Sequence, residues 1–275
     1  MCAAAGSPGT RFTAVRRFAE IDSTNRYLLD EARAGAPEGV VAVADYQHAG
    51  RGRLGRRWEA PVGSNLLMSV LLRPDVAVEE LHLCTVAVAL AAADACRRVA
   101  GLLPQLKWPN DLVVGDRKLA GILAESVGGA AAQRPAVVVG LGLNVGWPPA
   151  DDSDGPGAPD APGPVVEEGD LVRTATSLRR ETSTDATPGE VLDHVLAELE
   201  PRVVALGTAA GRRGLAGEYR ARCATLGRAV RVSQADGDFT GTAADITVEG
   251  HLVVNVGAGL RTVAAGDVVH LRAPG

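Results

Sequence analysis

The stretch Gly50-Arg51-Gly52-Arg53-Leu54-Gly55-Arg56-Arg57-Trp58 sets four arginines and three glycines into nine residues with no acid among them, in a chain of formal net charge −5. Guanidinium groups grip carboxylates and phosphates through paired N–H donors. Glycines let a backbone take positive φ and come close to a ligand. A loop of this composition is an anion clamp, and a compact anion is its expected visitor. A second charged cluster follows in Lys107-Trp108-Pro109-Asn110-Asp111, and Lys118 lies just beyond a Gly115-Asp116 turn. Glycine in the first central position of such a turn signals a hairpin, so Lys118 begins a return strand that faces back toward Asp111. Ahead of the loop stands a neutral polar group, Ser23-Thr24-Asn25 and Gln47. The first three are favoured helix N-cap residues; a cap alone, and a cap that also lines the pocket, both fit them.

These residues need elements to hold them. A strand is expected over 12–21, then a helix carrying Tyr27, Leu28, Leu29 and Ala32 and ended by Gly35. The apolar run 40–46 is a strand leading directly into Gln47, His48 and the arginine loop, and 64–72 is a returning strand, so continuously apolar that both its faces should be buried. An alanine-rich helix over 79–100 stops at Gly101; the hairpin around Gly115-Asp116 and a strand over 136–145 complete an antiparallel meander. Thr187-Pro188-Gly189-Glu190 is a capping box with proline at the first helical position, opening a helix through Val191, Leu192, Val195, Leu196 and Leu199. From about Leu226 the chain turns to short β runs at 229–233, 239–246, 252–256 and 260–271, punctuated by Asp236-Gly237 and Glu249-Gly250, which predict a small barrel or sandwich. The Pro, Gly, Asp and Ala of 150–164 read as a solvated loop.

Composition narrows the function. The 275 residues, 46% hydrophobic and 22% charged, suit one or two globular domains. Basic residues are outnumbered 28 to 33, which argues against a general nucleic-acid binder. Cys2, Cys84, Cys96 and Cys223 have no C-x-x-C spacing, so neither a zinc knuckle nor a disulfide framework is indicated and a reducing cytoplasm fits. Residues 1–10 lack the pattern of a signal peptide, and the apolar run 86–95 is too short to span a bilayer. Gly140-Leu141-Gly142-Leu143-Asn144-Val145 imitates a dinucleotide fingerprint but has valine at the sixth position and Trp147-Pro148-Pro149 where the phosphate-binding helix would start. Its glycines instead permit close approach within a sheet, with Asn144 as a polar contact.

Taken in order, Gly50-Arg-Gly-Arg-x-Gly-Arg-x-Trp58, Lys107-Trp-Pro-Asn-Asp111, Lys118-x-x-Gly-Ile-Leu-x-Glu125, Gly-x-Gly-x-Asn-Val145 and Ala175-Thr-Ser-Leu178 resemble the biotin protein ligases, from about Glu20 to Arg272. The resemblance implies an α+β fold: a catalytic domain over 1–222 with the mixed sheet and helices of class II aminoacyl-tRNA synthetases, then an SH3-like β-barrel over 223–275. It implies that biotin and ATP give biotinyl-5′-adenylate and pyrophosphate, and that the biotinyl group then passes to a lysine of a biotin carboxyl carrier domain. The catalytic residues it implies are Arg51, Arg53, Lys118 and Asp111. Ser23, Thr24, Asn25 and Gln47 would bind biotin's uncharged ring, with Arg51, Gly52, Arg53 and Lys118 at its acid end. Arg53, Arg56, Trp58, Lys107, Asn110, Asp111 and Asn144 would bind ATP; a structural ion pair fits Lys107 equally, and a core anchor fits Trp58. Mg²⁺ is expected with the nucleotide, held by phosphates and water because the sequence shows no carboxylate cage. Lipoate or octanoate transfer and a non-catalytic adenylate sensor are the alternatives. With only about twenty residues before the first motif, no helix-turn-helix and no operator binding are expected. A monomer or weak homodimer, with no membrane or nucleic-acid partner and an arginine loop that is mobile when empty, completes the expectation.

Overall fold

Leu66–Leu72 has six apolar residues in seven, and all seven are buried, as expected of a strand covered on both faces. In the computed structural model, which describes residues 4–5, 10–128, 135–149, 174–234, 237–264 and 266–271, this strand is β4 of an eight-stranded sheet. Its companions are β1 (Ala4–Ala5), β2 (Ala14–Ile21), β3 (Val40–Gln47), β5 (Gln105–Lys107), β6 (Asp111–Val114), β7 (Arg117–Val127) and β8 (Ala136–Leu143). The order is β1-β2-β3-β4-β8-β7-β6-β5. Only β2 and β3 run parallel, joined by the crossover helix α1 (Thr24–Arg33); the other neighbours are antiparallel, so the sheet is mixed.

Alternation along each strand divides the core in two. Leu66, Met68, Val70 and Leu72 face the layer built by α2 (His82–Ala100) and α4 (Pro188–Leu206). Leu71 instead joins Leu28, Ala32, Val40, Ala42 and Val138 beneath α1. By the same period Ser69 lies on the α1 face. Helix α2 is wedged between sheet and helices, which explains alanine and other small residues buried all round it. Its Asp94, only 4% exposed, pairs with Arg202 of α4 and with Arg222 just past α5 (Ala209–Ala221), so one buried carboxylate is balanced by cations from two other segments. The short helix α3 (Leu178–Thr182) is capped by Ser177, and the capping box at Thr187 and Glu190 opens α4 as read from the sequence. Helix α5 was not legible: three glycines in thirteen residues argue against a helix, and packing of Leu215 and Tyr219, with a Thr208 cap, overrides them.

The C-terminal residues form a second antiparallel sheet, order β12-β11-β10-β9-β13. Its strands are β9 (Ala229–Gln234), β10 (Gly237–Ile246), β11 (Leu252–Asn255), β12 (Leu260–Val263) and β13 (Asp267–His270). The single run expected over 260–271 is thus two strands on opposite edges. Five flat strands would put those edges ~19 Å apart at ~4.8 Å per step. The chain from Val263 to Asp267 can reach at most ~14 Å, so the sheet must curl toward a barrel. The turn at Glu249-Gly250 lies where expected; Asp236 and the 150–164 segment lie outside the described residues. No helix among the described residues is long and apolar enough to cross a membrane.

The second sheet is joined to the first through Trp108. Its backbone N–H donates to Thr225 Oγ1 at 3.0 Å and its indole to Gly250 O at 2.9 Å. Thr225 also meets His270 Nε2 at 3.0 Å. Burial first, then the positive charges of Lys107 and Arg228, push His270 down to about 4. The unfolded chain takes up that proton near pH 6.5. The stability from keeping His270 neutral is therefore complete above 6.5 and is lost as the pH falls toward 4. The denaturation midpoint of the native chain should fall more steeply between pH 7 and 4.5 than that of His270→Gln; parallel curves would contradict this.

Candidate active site

On the α1 face of the large sheet, three strand positions lack a side chain, and other groups occupy the space. A Cβ at Gly140 would overlap Asn25 Oδ1, and one at Gly142 would overlap the indole of Trp58. A Cβ at Gly121 would sit 3.1 Å from both Trp58 and the Lys118 ammonium. Gly121 and Gly142 are cross-strand partners, as are Gly140 and Ser69, so the three glycines and Ser69 form one patch of backbone across β4, β8 and β7. The first turn of α1 covers one end of this patch and the arginine loop, through Trp58, covers the other.

Lys118 reaches the patch because β7 carries a bulge. Asp111 pairs with Gly121 and Leu112 with Ala120, but Val113 pairs with Lys118, leaving Leu119 as an extra residue. In a regular strand, positions three apart face opposite sides; the extra residue returns Lys118 to the side of Gly121, the re-aiming that bulges produce. Its Nζ pairs with Asp111 Oδ1 at 2.7 Å and stands 5.5 Å from the Trp58 ring centroid. Lys118 thus faces Asp111, as the hairpin implied.

The arginine loop is a tight hairpin rather than a free strap. Arg51 and Arg57 form an antiparallel bridge, Gly52 N–H donates to Arg56 O at 2.7 Å, and Trp58 N–H to Gly50 O at 3.0 Å. At the tip Leu54 and Gly55 both take positive φ, 57° and 75°. Three of the four arginines have partners. Arg53 donates to Asn110 Oδ1 at 3.3 Å and to Gly266 O at 3.4 Å, Arg56 pairs with Asp267, and Arg57 pairs with Glu59 at 3.1 Å. Arg51 is exposed and has neither an ion pair nor a side-chain hydrogen bond among the described residues. The repulsion that would keep an empty loop mobile is therefore offset, in good part by the turn between β12 and β13.

Two cavities meet at Arg53 and Leu123. One, about 500 Å³, lies under the loop from Ala49 to Arg57 with Leu123 and Glu125 opposite. The other, about 390 Å³, is bounded by Asn110, Tyr219, His82 and the His251 side of the second sheet. Lys118 lines neither, being paired with Asp111, so these cavities do not join it to Arg51 and Arg53. Among the ring-binding candidates, Ser23, Thr24 and Asn25 are buried and Gln47 is half-buried; Ser23 caps α1 by accepting from Arg26 N–H at 3.4 Å. Lys107 lies close enough to His270 for its charge to act there. Asn144 directs its amide inward: Oδ1 accepts from Asn65 at 3.0 Å and Nδ2 donates to Thr176 O at 2.9 Å, tying β8 to the start of β4 and the approach to α3. Burial pushes the Cys84 and Cys96 thiols up to about 12, so neither is a thiolate at neutral pH.

Residues 18–144 match the Biotin/lipoate A/B protein ligase family, and 225–271 match the Biotin protein ligase C terminal domain. Over 260 residues the chain is 38% identical to the biotin–acetyl-CoA-carboxylase ligase of Mycobacterium tuberculosis, covering 92% of this chain and 88% of that one. The chain belongs to the biotin protein ligase family. A second biotin ligase, from Paracoccus denitrificans, is 33% identical over 91% of this chain and 98% of its own length. The structure of the biotin protein ligase from Aquifex aeolicus in complex with biotin and ATP superposes with a TM-score of 0.73 at 25% identity, covering 95% of this chain and all of that one. The α+β architecture with its curled C-terminal sheet is that of biotin ligases.

Sequence reasoning missed Ser69 and Asp267 as neighbours of the site and named Glu125 only as the end of a motif. Ser69, the one hydroxyl in an apolar strand, was the readable signal. Asp267 had none, because only the fold brings the second sheet against the loop. Asp267→Ala removes the partner of Arg56 and should make trypsin cut the 51–57 loop several-fold faster, as read by mass spectrometry of early fragments; an unchanged cleavage rate would contradict the bracing role.

Proposed function

We propose that this chain joins biotin to ATP, releasing pyrophosphate, and passes the biotinyl group from biotinyl-5′-AMP to a lysine of a biotin carboxyl carrier domain. Family membership over nearly the whole chain carries this reading, and convergence of its motifs on one glycine-floored sheet face supports it. In the first step a carboxylate oxygen attacks the α-phosphorus and the bond to pyrophosphate breaks. Two anions must approach, so the barrier falls if fixed cations cancel their repulsion. Lys118, brought to the glycine patch by the bulge and aimed by its pairing with Asp111, is suited to this role. Arg51 is the uncommitted guanidinium; Arg53, between the two cavities, is suited to the α-phosphate, and Arg56 to the departing pyrophosphate. Asn110 and Lys107 complete the nucleotide side. Trp58 Nε1, buried without a partner among the described residues, is a donor that the bound acid or nucleotide can satisfy. In the second step a lysine amine attacks the acyl carbon and AMP leaves.

Mg²⁺ enters as MgATP. No group of three or more His, Cys, Asp or Glu that could hold a metal exists among the described residues, while Asp111 offers a single carboxylate. That donor set fits an ion held mainly by phosphates and water, with at most one protein carboxylate. The acceptor is a carrier domain of a biotin-dependent carboxylase, encountered in the cytoplasm.

Incubation of the chain with MgATP, biotin and a carrier domain should release pyrophosphate and add one biotinyl group to the carrier by mass. Lys118→Ala should lower kcat/KM on the order of 10²-fold, the usual cost of removing one transition-state donor. Attachment of lipoate or octanoate in place of biotin, or no pyrophosphate release, would overturn the reading.

A further inference from the structure

Beneath the first turn of α1, three buried polar side chains and the half-buried Glu125 form a chain whose direction is fixed by proton count. Asn25 Nδ2 donates to Glu125 Oε2 at 2.8 Å and to Leu123 O at 3.2 Å. A backbone carbonyl only accepts, so the nitrogen end of this amide must face it, and Oδ1 must face Ser69. Ser69 Oγ, 2.6 Å from that oxygen, therefore commits its only proton there. Ser69 and Thr24 Oγ1 are 2.7 Å apart, a separation two hydroxyls hold only with a proton between them. With the Ser69 proton already placed, Thr24 must be the donor. Gln47 Oε1, at 3.1 Å from Thr24 Oγ1, is left to the Thr24 backbone N–H, which reaches it at 2.8 Å. Ser69, Thr24 and Asn25 are at most 5% exposed, so water does not scramble this order.

We propose that the chain Thr24 → Ser69 → Asn25 → Glu125 is a positioning relay that locks the Thr24 hydroxyl as a hydrogen-bond acceptor and so selects ligands presenting an N–H beside a carbonyl. The inference rests on the biotin reading above and deepens it. Thr24 has lone pairs to offer and no proton. Gln47, oriented by the Thr24 N–H, keeps its oxygen inward and turns its NH₂ toward the Gly50 side, where it has no partner among the described residues. An acceptor and a donor set side by side match the N–H and C=O of a cyclic urea, which an alkyl chain or a dithiolane ring lacks. Asn25 thus acts through Thr24 rather than on the ring: both ends of its amide are occupied, and Gly140 is the position that makes room for it. Glu125 serves as the terminal acceptor, a role that needs an oxygen and not a charge.

This last point separates the relay from a purely electrostatic part for Glu125 opposite the arginine loop. Glu125→Ala and Ser69→Ala should each raise the KM for biotin roughly tenfold, with the KM for ATP and kcat within about twofold, the size expected for one lost buried hydrogen bond. Glu125→Gln, whose amide oxygen still accepts from Asn25, should restore the native KM. Asn25→Asp, which cannot donate to Leu123 O, should be worse than Ser69→Ala. Thermal denaturation identifies any variant that fails to fold. Should Ser69→Ala or Asn25→Asp unfold, the Glu125 pair decides the matter at a half-buried position. Unchanged biotin KM in Glu125→Ala, or equal impairment in Glu125→Gln, would overturn the relay while leaving the native enzyme active on biotin. An inactive native chain would instead overturn the biotin reading itself.

Discussion

The arrangement depends on three places where the sheet has no side chain. A β-strand ordinarily carries a Cβ at every second position on each face, and neighbouring strands make that face continuous. At Gly121, Gly140 and Gly142 it is bare, and the backbone itself becomes the floor. Asn25 comes down on one glycine and the Trp58 indole on the next, so α1 and the arginine loop, which have no reason from sequence proximity to meet, close over one patch. The bulge at Leu119 then turns Lys118 onto the same patch. A cation is set beside an uncharged polar patch by subtraction of side chains at three points and insertion of one residue at a fourth.

Charge is handled by distributing it over two sheets. A loop of four arginines is self-repelling, and nearby acceptors offset that repulsion. Here Asp267 and Gly266 of the second sheet and Asn110 of the first take up Arg56 and Arg53, while Glu59 takes Arg57. The loop is therefore shaped by a part of the chain about 200 residues further on. The curl forced on the second sheet brings its β12–β13 turn to the loop, and the Trp108 contacts with Thr225 and Gly250 hold that sheet in place. The C-terminal strands are thus part of how the arginine loop is held.

How much of this was legible in the sequence follows from the range of the forces involved. Local signals read well: the capping box at Thr187, the stop at Gly101, the continuous apolar β4 and the Gly115-Asp116 hairpin depend on residues a few positions apart. Helix α5 was invisible because three glycines contradict it locally and only the packing of Leu215 and Tyr219 secures it. The split of 260–271 into two edge strands was invisible because an apolar run does not say which neighbours it pairs with. At the candidate site, motif order singled out residues but could not give their state. Asn144 and Asn25 looked available and are committed to internal hydrogen bonds, and Ser69 looked like a break in a hydrophobic strand and lies at the centre of a polar chain.

The bare sheet face seats the Trp58 indole and the Asn25 amide, and the shape of the candidate site depends on both being seated. Calorimetric titration of biotin into Gly142→Ala addresses this directly, because the added methyl meets the Trp58 indole first. With native far-UV circular dichroism retained, biotin binding should weaken at least tenfold, equivalent to about 1.4 kcal/mol. Native affinity in a folded Gly142→Ala chain would contradict the account.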